Sequence, residues 1–88
     1  MSVPEVSRFF GIVIGMFHDD HPPPHFHARY AGKEIQVIIA DGRILRGSLQ
    51  QRAENLVREW WSIHREELAR NWQLLSEGKE PERIDPLE

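Results

Sequence analysis

Four of the five histidines in the 88-residue chain stand within ten residues, at His18, His21, His25 and His27, with Asp19 and Asp20 among them. Imidazole nitrogens and carboxylate oxygens are the donors that hold zinc, nickel and similar divalent ions. His25 and His27 form the best bidentate pair, because side chains two apart on an extended strand project from one face with roughly 6–7 Å between them. Each can then bring a nitrogen to about 2.0–2.1 Å from a shared zinc ion. His21 and His25 pair less well, since four residues of polyproline II advance the chain by roughly 12 Å. His21 joins only if the loop bends. His18, Asp19 and Asp20 would complete a site, so the candidate metal ligands are His18, Asp20, His21, His25 and His27.

The same residues allow chemistry without a metal. His25 and His27 can act as general base and general acid, with Arg29 on the same strand face holding a phosphate, a constellation suited to RNA cleavage. A third reading assigns no chemistry: Pro22, Pro23 and Pro24 stiffen a solvent-facing turn and the histidines cap its ends. The residues leave all three readings open. His64, with Glu67 and Asn71 close to its side of a helix, poses a separate question. It is either a packing histidine bonded to a strand carbonyl or to Asn71, or a group that reaches the loop histidines with Glu67 orienting its ring. Strand alternation argues against the second, because His25 and His27 face away from the helix if Phe26 and Ala28 face it.

The elements that would position these groups follow from periodicity. Residues 8–17 form an apolar run rich in β-branched and aromatic residues, which predicts one buried strand with Phe10, Ile12, Ile14 and Met16 on one face. The proline loop follows, then a strand over 25–30 and a turn at Ala31-Gly32-Lys33. A third strand spans 34–40, with Ile35, Val37 and Ile39 inward. Asp41-Gly42 signals a two-residue hairpin, leading to a fourth strand over 43–49 with Leu45 and Leu49 inward. From 50 to 76 the period becomes helical, with Ala53, Leu56, Val57, Trp60, Leu68 and Leu75 in one stripe. Gly78 and Pro81 end the helix, and a polar tail over 77–88 carries Ile84 and Leu87 as the residues that would clip it to the body. The expected fold is a single α+β domain: a four-stranded antiparallel meander with one long C-terminal helix packed on one face.

Composition narrows the function classes. There is no cysteine, which excludes disulfide frameworks and thiolate metal sites. The formal net charge of −3 does not favour a nucleic-acid-coating protein. No apolar run is long enough for a signal peptide or a membrane span, so the expected location is the cytoplasm. A thin core invites a partner, and the open sheet face, or Trp61 and Trp72 at the edge of the helix stripe, would serve a homodimer. No glycine-rich phosphate loop and no nucleophile elbow is present.

The string Asp20-His21-Pro22-Pro23-Pro24-His25-Phe26-His27 is specific. With Pro4 to Ile14 before it, the helix residues Trp60, His64, Glu67, Leu68, Asn71 and Trp72, and Ile84, Pro86 and Leu87 in the tail, the chain resembles the prokaryotic domain-of-unknown-function 4160 family over nearly its whole length. In that family an asparagine usually precedes the aspartate, where Asp19 stands here. The resemblance implies a small cognate protein encoded nearby, in an arrangement like a toxin–antitoxin module, and regulation of growth or transcription through protein contact.

Overall fold

The computed structural model describes residues 4–88. Among them five strands form one antiparallel sheet in chain order: β1 (Glu5–Phe9), β2 (Ile12–Gly15), β3 (His25–Tyr30), β4 (Lys33–Ile38) and β5 (Ile44–Gly47). One helix, α1 (Gln51–Ser76), covers one face of this meander. No helix among the described residues is long and apolar enough to cross a membrane.

The sheet has five strands, not four, because the expected strand over 8–17 is a hairpin. Phe10 and Gly11 take φ +50° and +80°, the two positive dihedrals of a type I′ turn, and Phe9 pairs directly with Ile12. Asn-Gly or Asp-Gly usually marks such a turn. Phe-Gly inside an apolar run does not. The turn also exchanges the expected faces: Phe9 joins the core while Phe10 stands 61% exposed at the hairpin tip.

The other hairpin signal closes differently from expectation. Gly42 N–H donates to Ile38 O at 2.8 Å and Ile38 N–H donates to Arg43 O at 2.8 Å, so residues 39–42 form a four-residue loop instead of a two-residue turn. A register shift between Gln36 and Val37 then puts Ile44, not Leu45, opposite Val37. Leu45 is therefore 41% exposed, while Leu49 is buried as expected.

Gly47 shows how tightly β5 is laid down. A Cβ there would lie 2.1 Å from the Glu34 carbonyl oxygen, and its φ is +81°. Gly32 has a similar φ of +80° but open space around it. Gly47→Ala should therefore cost roughly 2–4 kcal/mol, the left-handed penalty plus displacement of backbone. Gly32→Ala should cost only the first part, roughly 1–2 kcal/mol. Urea unfolding of the two variants side by side measures the difference.

The core lies between the sheet and α1. Ile12, Ile14, Phe26, Ala28, Ile35 and Val37 meet Ala53, Val57, Trp60, Leu68 and Leu75 there. The helix ends at Gly78 in a Schellman arrangement, with Lys79 N–H donating to Leu74 O at 2.9 Å and Gly78 N–H to Leu75 O at 3.0 Å. The tail then folds back along β1: Ile84 N–H donates to Val6 O at 2.8 Å, and Ile84 and Leu87 are buried. Asn71 holds this return, because its side-chain amide bonds both the carbonyl and the N–H of Glu82 at 2.8 Å. At the sheet edge Arg8 bonds Glu5 at 2.7 Å and holds its carboxyl below the usual range, with Arg83 adding to the effect.

Candidate metal centre

His25 and His27 stand on the β3 face opposite Phe26 and Ala28, as alternation requires. Both are nonetheless buried, at 4% and 6% exposure. Three features of the sequence account for this. Gly15 pairs with His27 across the sheet and contributes no side chain above it. Phe17, two residues further on, sets its ring edge-on to the His27 imidazole at 4.5 Å between centroids. The proline loop then returns over the pair, pinned where Ile39 N–H donates to Pro24 O at 3.0 Å. From the far side Trp72 of α1 reaches the His25 ring, at 5.5 Å between centroids. The helix does touch this face, contrary to the simple alternation argument, through its C-terminal half, which follows a break at His64 where φ is −116°.

The loop delivers Asp20 to both rings. Its Oδ2 lies 3.1 Å from His25 Nε2 and 2.9 Å from His27 Nε2. The opposite ring nitrogens are also engaged: His25 Nδ1 lies 2.8 Å from Pro23 O, and His27 Nδ1 lies 2.9 Å from Glu34 Oε2. A carbonyl oxygen only accepts, so His25 Nδ1 donates and carries the proton. In a neutral His25 the Nε2 lone pair then points at a carboxylate. His27 lies between two carboxylates with one proton to offer if neutral. Two neutral imidazoles supply two N–H groups to four acceptor contacts, and the shortfall is two positive charges. Two further protons would make it up, and so would one divalent cation held by Asp20 and the two Nε2 atoms. Tetrahedral bonds of about 2.0–2.1 Å place neighbouring donors about 3.3–3.4 Å apart, so each contact between Asp20 and an imidazole would need to open by only a few tenths of an ångström. The Pro23 carbonyl and Glu34 would then do what acceptors behind metal-bound histidines do, fixing the tautomer and the ring orientation.

Asp20, His25 and His27 are thus the three residues of the predicted ligand set that converge, with donor atoms within 4.8 Å of one another. His18 does not join them; its Nε2 lies 3.1 Å from Lys79 O, so it ties the loop to the end of α1. His21 is exposed. Arg29 is exposed too, with Nε 3.5 Å from Glu34. His64 neither meets the loop cluster nor bonds a strand carbonyl or Asn71: its Nδ1 bonds Glu67 beside it on the helix, and its ring lies against Trp60 at 5.3 Å. Trp61, expected as a dimer contact, donates Nε1–H to Ile39 O at 2.8 Å and carries Arg65 over its ring.

Glu34 was not among the expected site residues, yet its place follows from the hairpin. Ala31 and Gly32 form a second two-residue turn, which pairs His27 with Gln36 and puts Glu34 on the diagonal from His27. Asp19 has a backbone role. Its φ is +59°, the left-handed region that asparagine and aspartate tolerate best among residues with a Cβ.

Beside the cluster runs a groove of about 240 Å³ lined by Phe17, Asp19, Asp20, Trp72, Leu75 and Ser76. Asp20 belongs to both features, and its side chain is 22% exposed.

No curated protein and no solved structure matches the chain. A family model, described as a domain of unknown function, matches residues 11–73, which run from the first hairpin turn through the proline loop into the last turns of the helix. That span holds Asp20, His25, His27 and Glu34, and on it the chain belongs to the DUF4160 family.

Proposed function

We propose that the protein binds one divalent first-row metal ion, zinc or nickel, through Asp20, His25 Nε2 and His27 Nε2. The ion fixes the His18–His27 loop as the surface through which the protein regulates a small partner protein. The observation that carries the metal reading is the convergence of two imidazole nitrogens on one carboxylate oxygen while each ring's other nitrogen faces a carbonyl or carboxylate acceptor. Three protein donors leave a coordination position for water or an incoming ligand. The resemblance drawn from the sequence, which implies a small cognate protein encoded nearby, supports the regulatory part. Paired histidines acting as acid and base on RNA have less support, because both rings are buried and engaged at both nitrogens.

Protein purified without a histidine tag and dialysed against trace zinc or nickel should retain about one ion per chain by plasma mass spectrometry. The His25→Ala/His27→Ala double variant should retain almost none. Equal, near-zero metal in both proteins removes the reading.

A further inference from the structure

We infer that the groove between Phe17 and Trp72 is the ligand pocket of this centre and takes a small aromatic molecule carrying an uncharged nitrogen donor of the azole type. The inference rests on the metal reading. Its own support is the way the groove is joined to the donors. Phe17 lies against His27, Trp72 lies against His25, and Asp20 is itself part of the wall. The two imidazoles are closed off by these same residues, whereas Asp20 is the donor with solvent access. An incoming ligand therefore meets the ion on the Asp20 side, where the groove lies.

The walls set the chemistry. Phe17, Trp72 and Leu75 supply apolar and aromatic surface, and about 240 Å³ accommodates one or two rings rather than a drug-sized molecule. Asp19 and Asp20 both line the groove, and their two negative charges would balance those of a divalent ion, so the pocket gains nothing from a ligand with a negative charge of its own. A neutral nitrogen donor can fill the open metal position and leave that balance intact. The pocket thus selects for an azole joined to an apolar ring.

Cobalt(II) in place of zinc gives a visible absorption spectrum that reports the ligands of the ion. The cobalt-loaded protein, titrated with 4-phenylimidazole and with 4-methylimidazole, should bind the first about tenfold more tightly, as expected for placing one ring against apolar walls. Phenylacetate should bind more weakly than either. Ser76→Phe, which fills the groove from the exposed end of α1, should abolish the preference for the phenyl compound. Equal affinity for the two azoles, or a preference that survives Ser76→Phe, overturns the inference while leaving the metal site in place. Failure of cobalt to give a protein-bound spectrum overturns the metal reading itself, so the two failures are told apart. Tighter binding of phenylacetate than of the azoles would also count against the inference.

Discussion

In the Asp20→Asn variant, zinc affinity measured by calorimetry should fall by at least roughly 100-fold, while the stability of the metal-free protein changes by no more than about 1 kcal/mol. The substitution keeps the shape of the side chain and an oxygen that can face the two Nε2 atoms at 2.9 and 3.1 Å. It removes the negative charge that a divalent ion needs from this donor. Asp20 stands on a loop and is partly exposed, so its contacts with the rings contribute little to folding by themselves. A hydrogen-bonded scaffold with no metal predicts another pattern: no zinc binding in the parent protein, and a loss confined to stability. His27→Ala is the less informative variant, because it removes a ligand and also opens a hole beneath Phe17 and beside Glu34. A measured zinc affinity unchanged by Asp20→Asn would place the ion elsewhere or nowhere.

Trp60→Ala should destabilise the fold by about 3–5 kcal/mol and lower the melting temperature by roughly 15–30 °C. Trp60 is fully buried and sits where three parts of the chain meet. Its ring lies 5.5 Å from Phe9 of β1 and 5.7 Å from Phe26 of β3, and its Nε1–H donates to Asp85 O in the tail at 2.8 Å. Alanine would leave a large cavity and an unpaired carbonyl. The total stability of a domain this size is on the order of 10 kcal/mol, so the variant should remain mostly folded at 25 °C but not at elevated temperature. Trp60→Phe separates the two contributions. It keeps most of the packing, loses the bond to Asp85, and should cost roughly 1–2 kcal/mol. Circular dichroism on heating reads both. A loss below 1 kcal/mol for the alanine variant would mean that the tail and sheet close over the gap.

The long helix was legible in the sequence almost to the residue, since its apolar stripe repeats over many turns and Gly78 marks its end. The strands expected over 25–30 and 34–40, found at 25–30 and 33–38, were legible for a similar reason, as alternation fixes which side chains of each share a face. The first hairpin was not. Phe10 and Gly11 lie inside an unbroken apolar run, and only the need to pair Phe9 with Ile12 reveals the turn. The inward face of β5 was misassigned because a bulge shifts the register by one residue, and a shift of one carries each side chain to the opposite face.

The candidate site divides along the same line. Local sequence determined the donor types, the absence of thiolate, and the common face of His25 and His27, because a strand's period of two is a property of the backbone alone. Which carboxylate and which second acceptor join them depended on contacts between segments far apart in the fold: the loop that brings Asp20 back, the hairpin register that sets Glu34 on the diagonal, and the helix that lays Trp72 against His25. The same distant contacts drew His18 to Lys79 and kept His64 with Glu67. Spacing along a chain states which groups can share a face. Only the packed structure decides which of them meet, because that depends on where loops close and how strands are paired.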